Sequence, residues 1–223
     1  MEIVLASKNP RKRRELEEIL RETVPKLRVV EAEWPDVAET AMTFRENALL
    51  KARTVHTVTG FFALADDSGL EVDALDGAPG VWSARFALPA VQEAAGRSDS
   101  SAASASSMLD PSASADLQTQ ANNAELLRRL DGVTDRRARF RCVIALCGET
   151  EAGVHVETTV EGRVEGVIVQ SPVGNEGFGY DPLFRPVGWD CTFAEAGPVE
   201  KATVSHRARA LSEAAVLLSK IFP

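Results

Sequence analysis

The chain is poor in the residues that build disulfide frameworks and soft-metal centres. Its 223 residues include three cysteines and three histidines. Cys142, Cys147 and Cys191 form no C-x-x-C pair and leave one thiol over, which suits a reducing cytosol rather than a disulfide scaffold. His56, His155 and His206 are scattered, so a zinc site built on closely spaced His and Cys is not expected. No apolar run approaches membrane-spanning length, and Met1-Glu2-Ile3-Val4-Leu5 carries no basic lead-in of a secretory signal. A basic surplus is missing too: 25 Lys and Arg oppose 33 Asp and Glu, a formal net charge of −8. Non-specific nucleic-acid binding needs a basic footprint. The expectation is a cytoplasmic protein with neither a membrane nor a nucleic acid as partner. Its length allows one sizeable core with room for a second lobe.

Against these absences stands Ala63-Leu64-Ala65-Asp66-Asp67-Ser68-Gly69-Leu70. An apolar run beginning at Phe61-Phe62 meets two adjacent carboxylates, which predicts a buried strand ending at a polar turn, with a new strand over Leu70-Glu71-Val72. Alternation along a strand sends Asp66 and Asp67 to opposite sides. Carboxylates at such a place are costly to desolvate unless a cation meets them. These residues fit a divalent cation shared with a polyanionic substrate. They fit equally an Asx-type turn, for which Asp, Ser and Gly are the usual residues.

Glu2 to Ala6 reads as a first buried strand running into Ser7-Lys8-Asn9-Pro10-Arg11-Lys12 and a helix with Leu16, Ile19 and Leu20 on one face. Asn9 is a good N-cap, and Pro10 stands where a first-turn proline is tolerated. Free N–H groups and the positive end of the dipole make such a turn an anion cradle, to which Ser7, Asn9 and Lys12 add polar side chains. An ordinary helix start with a solvated basic face explains the same residues. Leu27 to Val30 is a second strand. Thr43 to Glu46 is a capping box opening a helix to about Val58, with Ala48, Ala52 and Val55 inward. Lys51 in that helix and Glu39 before it are, taken singly, ordinary solvated charges.

Gly77-Ala78-Pro79-Gly80 is a tight turn. From about Ala90 to Gln120 the chain turns Ser/Ala-rich, too poor in apolar residues to offset its ordering entropy, and a surface insertion is expected there. Asn122 is expected to cap a short helix through Leu126, Leu127 and Leu130, stopped at Gly132. Phe140, Cys142, Ile144 and Leu146 alternate as a strand. Separate strands are expected around Val154 to Val160 and Arg163 to Val169, completing an antiparallel group in a mixed α/β sheet. In Gly174 to Pro182 the glycines permit close backbone approach to a ligand, and Phe178 and Tyr180 offer flat faces for a base. A flexible turn with aromatics plugging the core accounts for the loop as well. Ser205 opens a last helix whose first turn holds His206 and Arg207, cations set against the helix dipole. An anion or a base is the more natural partner for that pair.

Six motifs then stand in series: Ser7-x-Asn9-x-x-Lys12, Glu39-Thr40 through Thr43-Phe44-x-Glu46-Asn47-Ala48-x-x-Lys51-Ala52, Ala65 to Leu70, Gly77 to Val81, Gly177 to Pro182, and Ser205-His206-Arg207-x-x-Ala210-Leu211. In that order they closely resemble the inosine triphosphate pyrophosphatases, which cleanse nucleotide pools of non-standard purines. The resemblance covers nearly the whole chain outside the Ser/Ala-rich segment. It implies a single domain over 1–223 with that insertion at about 90–120, and an α/β fold in which an elongated mixed sheet flanked by helices forms two lobes around a cleft. It implies hydrolysis of ITP, dITP and XTP to the monophosphate and pyrophosphate, with Mg²⁺, by a homodimer.

Carried over position by position, Ser7, Lys8, Asn9, Pro10, Arg11 and Lys12 would hold the phosphates, helped by Lys51 and Ser68. Lys12 and Lys51 would also stabilise the leaving pyrophosphate. Asp67 matches the metal-binding acid and proposed general base, with Glu39 the second carboxylate at the metal. Phe178 would stack on the base, with Gly179, Tyr180 and Asp181 in the same loop, and Lys201, His206 and Arg207 at the base end. Asp66 fits either water positioning or support of the metal ligands. Ser7 stands where threonine is common, Lys8 and Pro10 replace more flexible residues, and Ala202 falls where asparagine is usual. A related pyrophosphatase for pyrimidine or modified nucleotides, and a nucleotide sensor without turnover, are the rival expectations.

Overall fold

The computed structural model describes residues 2–25, 27–87 and 111–222. The fold is α/β, a mixed six-stranded sheet with flanking helices. The strands are β1 (Glu2–Leu5), β2 (Arg28–Val30), β3 (Phe62–Val72), β4 (Arg137–Glu149), β5 (His155–Ile168) and β6 (Phe184–Pro186). The helices are α1 (Pro10–Thr23), α2 (Phe44–Thr59), α3 (Pro111–Arg129), α4 (Phe193–Val204) and α5 (His206–Ile221). Sheet order is β2-β1-β3-β4-β5-β6, with β1 parallel to both β2 and β3 and β6 antiparallel to β5. Among the described residues, no helix is long and apolar enough to cross a membrane.

The chain divides into two compact units. The first comprises Met1–Ser68, Phe140–Val164 and Ala202–Pro223. Its core joins Ile3 and Leu5 of β1, Leu16 and Leu20 of α1, Phe62 and Leu64 of β3, Cys142, Ile144 and Leu146 of β4, and Ala210, Leu211, Ala214 and Leu218 of α5. The helices of this unit, α1, α2 and α5, begin where their sequence marks a start. The Lys12 N–H donates to Asn9 Oδ1 at 3.3 Å. Thr43 and Glu46 close a capping box, with the Glu46 N–H on Thr43 Oγ1 at 3.2 Å and the Thr43 hydroxyl on Glu46 Oε2 at 2.8 Å. Ser205 Oγ accepts from the Ala208 N–H at 3.1 Å. Gly162 in β5 lies against the first turns of α5, where an added Cβ would collide with the His206 carbonyl and the Ala210 N–H.

The second unit comprises Gly69–Arg139 and Glu165–Lys201. Leu70, Val72, Leu126, Leu130, Leu183, Phe184 and Phe193 are buried in it. Phe193 meets Phe184 and Trp189 with ring centroids 5.3 and 5.8 Å apart. α4 is broken at Gly197 (φ 78°, ψ 175°), followed by Pro198.

Three expectations about the elements are corrected. The acidic pair does not end a strand: β3 runs unbroken through Asp66, Asp67, Ser68 and Gly69 to Val72, because the cations around the pair let its backbone stay in the sheet. β5 is one strand of 14 residues where two were expected, with Gly162 inside it making room for the backbone of α5. Asn122 is no cap but a buried residue inside α3, which starts at Pro111. Its Oδ1 accepts from the Ala87 N–H at 2.9 Å and from Gln118 Nε2 at 3.0 Å, and its Nδ2 donates to the Ser83 and Ala84 carbonyls at 3.3 and 3.1 Å. Of the expected insertion, 88–110 lies outside the described residues, and 111–120 is the first half of α3.

Candidate active site

In the first unit, the middle of β3 delivers Asp66 and Asp67, buried at 1% and 6% exposure. Asp66 Oδ2 accepts from Lys12 Nζ at 3.0 Å and faces Arg207 Nε at 3.7 Å. Arg207, itself 1% exposed, also donates from Nη2 to Ser68 Oγ at 3.3 Å. This explains a cation in the wrong end of a helix dipole: the Asp66 carboxylate offsets what the dipole costs. Burial alone would push the Asp66 carboxyl up, but Lys12, Arg207 and Lys51 together hold it well below the usual carboxylate range.

Asp67 sits differently. Its Oδ1 accepts from the Ser68 N–H at 3.0 Å and stands 4.0 Å from Lys51 Nζ. Lys51 spends its ammonium on Glu39 Oε1 at 2.7 Å and on the Asp66 backbone carbonyl. Asp67 Oδ2 is buried without a hydrogen-bond partner. The Asn47 amide nearby is held in a two-point pairing with the Ala41 backbone and lowers the Asp67 pKa only weakly. Burial dominates, Glu39 adds repulsion, and Lys51 and Lys12 offset only part, so the carboxyl is pushed up to about 6. Lys51 shifts upward because Asp66, Asp67 and Glu39 outweigh its own burial. Two adjacent carboxylates are thus driven apart, one a fixed anion and one able to exchange a proton near neutrality. The donors at Asp67 and Glu39 are all oxygen and include one unpartnered buried atom, a set that suits a hard divalent cation such as Mg²⁺.

Other expected site residues stand at the starts of α1 and α5. Lys8 pairs with Asp36 at 2.5 Å on the surface. Asn9 and Pro10 form the start of α1, the Ser7 N–H donates to the Leu5 carbonyl at 2.8 Å, and the Arg11 side chain lies outside the described ones. His206 is buried with its ring stacked on Phe140, centroids 4.8 Å apart and planes 11° from parallel.

In the second unit, Asp181 organises the glycine loop. Its Oδ2 accepts from the Phe178 N–H at 2.9 Å and from Lys201 Nζ at 2.6 Å. A Cβ on Gly177 (φ 78°) would strike that carboxylate. The Lys201 ammonium lies 4.6 Å from the Phe178 ring centroid and 5.6 Å from that of Phe193. Tyr180 turns inward, its hydroxyl donating to the Ser83 carbonyl at 2.9 Å, and burial pushes its pKa up. Asn123 Nδ2 donates to the Gly179 carbonyl at 3.1 Å. Phe178 is thereby left as the half-exposed aromatic of a pinned loop.

Reading the residues alone passed over Asn47, Ser83 and Asn123, and took Asn122 for a helix cap. Asn47 carried a usable signal, a polar side chain on the apolar face of α2 beside Phe44 and Ala48. Ser83 and the two asparagines carried none, because they act through backbone groups distant in the chain.

The Ham1 family model matches residues 3–216. A protein of Exiguobacterium sp. named dITP/XTP pyrophosphatase is 44% identical over 218 residues, covering 95% of this chain and 93% of the relative. The Ham1 protein structure from Coxiella burnetii superposes with a TM-score of 0.77 at 37% identity, and that of Staphylococcus aureus with 0.76 at 32%, each over 99% of both chains. With the match running nearly end to end in both sequence and backbone, the chain belongs to the Ham1 family.

Proposed function

We propose that this chain hydrolyses non-standard purine nucleoside triphosphates, dITP, XTP and ITP, to the monophosphate and pyrophosphate by Mg²⁺-dependent attack of water at the α-phosphorus. The observation that carries the reading is Asp67, a buried carboxylate pushed up to about 6 with one oxygen unpartnered, next to a carboxylate that is locked as an anion. An unpartnered, buried carboxylate oxygen has no hydrogen bond to give up before it meets a cation or the proton of a water. The relatives' printed name supports the reaction class.

Asp67 and Glu39 would hold the Mg²⁺, which when bound withdraws charge from the phosphates and offsets what develops on them. Asp67 takes the proton of the attacking water as the new bond forms between water oxygen and the α-phosphorus. The bond from that phosphorus to the bridging oxygen breaks, and pyrophosphate leaves with the electron pair. Lys12 and Lys51 stabilise its charge, which is electrostatics and positioning rather than covalent catalysis. Ser7 to Lys12 supply the N-terminal end of α1, with Ser68 and Arg207 nearby in the same unit, to hold phosphate oxygens. Phe178 stacks on the base, and Asp181 fixes its loop and the Lys201 ammonium. Arg207 and His206 complete the contacts. Donors directed at a 6-keto oxygen meet the 6-amino group of adenine badly, a mismatch that reaches factors on the order of 10⁴.

The working form we propose is a cytoplasmic homodimer without nucleic-acid or membrane partners, on the family resemblance and the net charge of −8. Light scattering tests the dimer. A nucleotide panel with Mg²⁺ tests the reaction: pyrophosphate should appear from dITP and XTP far faster than from dATP or dTTP. Equal rates across the panel, or orthophosphate as the first product, would remove this assignment.

A further inference from the structure

We propose that Cys147, His155 and Glu157, joined by His56, bind one thiophilic divalent cation of the zinc class, at a site separate from the Asp67 carboxylates. Spacing along the chain argued against such a centre, since no two of these residues form a close Cys/His motif. The fold of the first unit assembles them instead. His155 and Glu157 are two apart on β5 and so share a face of the strand, and Cys147 lies on β4, the neighbouring strand in the sheet. One ligand atom from each falls within 4.8 Å of the others, and among the described residues no other trio does so. Bonds to zinc of about 2.0–2.3 Å put tetrahedral ligand atoms about 3.3–3.8 Å apart, so small rotamer adjustments close the site.

His56 on α2 stands beside this trio and would take the fourth position after a small shift toward it. Its ring lies 6.2 Å from that of His155, centroid to centroid. Its Nδ1 stands 2.8 Å from the Phe61 carbonyl oxygen, which can only accept, so Nδ1 carries the proton and Nε2 keeps its lone pair. A carbonyl-anchored imidazole of this kind is the usual support of a metal-binding histidine. Arg53, also on α2, grips Glu157 with two hydrogen bonds of 2.6 Å, fixing the carboxylate while each oxygen retains a second lone pair. The sulfur is buried and the histidine and glutamate are exposed, so an ion would be reached from solvent with the thiolate as its floor. One sulfur, two imidazoles and one oxygen select zinc-class ions over Mg²⁺. Because α2 also carries Lys51 and Asn47, occupancy would tie the helix that holds the acidic cluster to β4 and β5.

Cobalt(II) titrated into the reduced full-length protein is the test, read by its thiolate charge-transfer band and tetrahedral d–d bands. The wild type should show both with one equivalent, and Zn²⁺ should displace them. Cys147→Ser should abolish the charge-transfer band. His155→Ala, an exposed replacement that leaves the fold and the Mg²⁺-dependent hydrolysis unchanged, should weaken Co²⁺ binding at least tenfold. Absence of a thiolate band in the wild type would overturn the proposal, as would equal affinity in wild type and His155→Ala.

Discussion

Replacing Asp67 with asparagine should make the protein inactive and, above pH 6, more stable. Asparagine imitates the protonated carboxylic acid in shape and charge. The rise of the Asp67 pKa from 3.8 to about 6 means that the charged form costs the folded state about 3 kcal/mol relative to the unfolded chain, at about 1.4 kcal/mol per pH unit. The sign follows from proton binding. Between pH 3.8 and about 6 the folded protein holds this proton more tightly than the unfolded chain, so wild-type stability falls as pH rises through that window and levels off above it. Below about 3.8 both states are protonated and the substitution should be close to neutral. Above about 6 the variant should lead by about 3 kcal/mol. Urea unfolding of both proteins without divalent ions, at a series of pH values from 4 to 8, reads the effect of Asp67 together with its coupling to Lys51, Glu39 and Lys12, since groups away from the cluster cancel in the difference. A variant no more stable than wild type at pH 7.5, or a difference that does not change with pH, would refute the assignment of a strained, buried base. The gain in stability with loss of turnover is the trade expected where a site holds a charge its surroundings do not fully compensate.

Asp66→Asn should act in the opposite direction, costing about 3–5 kcal/mol at neutral pH because it removes the anion facing the buried Arg207 and the half-buried Lys12. Since the Asp66 pKa is depressed, that stabilisation is present above 3.8 and is lost only as pH falls through its folded value, which acid titration of unfolding measures. Gly162→Ala should destabilise by about 3 kcal/mol in chemical denaturation, because α5 backbone atoms on its neighbour would have to move for the new methyl. Asn122→Ala should cost about 2 kcal/mol by stranding the buried Ala87 N–H, again read from denaturation midpoints.

What could be read from the chain was whatever is decided locally. Asn9, the Thr43–Glu46 box and Ser205 each mark a helix start that the structure keeps, because a cap involves residues three apart. The misreadings share one cause. Asp66 and Asp67 looked like a strand end because two carboxylates are poor sheet residues, and only Lys12, Lys51 and Arg207, brought from α1, α2 and α5, make their burial tolerable. β5 was expected as two strands, and Asn122 as a cap, for the same reason: the element that packs on Gly162 or bonds to Asn122 lies far along the chain. Within the acidic cluster, the charged residues were legible and their pairing was not. That Asp66 is a paired anion and Asp67 a raised acid follows from which cation reaches which carboxylate. The turning of Tyr180 toward the Ser83 carbonyl had no local signal at all.

Hydrolysis of dITP in ¹⁸O-enriched water with Mg²⁺, followed by mass spectrometry of both products, goes directly to the chemistry assigned to Asp67. One labelled oxygen should appear in dIMP and none in pyrophosphate, since water attacks the α-phosphorus. Label in the pyrophosphate, with dIMP unlabelled, would place the attack at the β-phosphorus and contradict the mechanism.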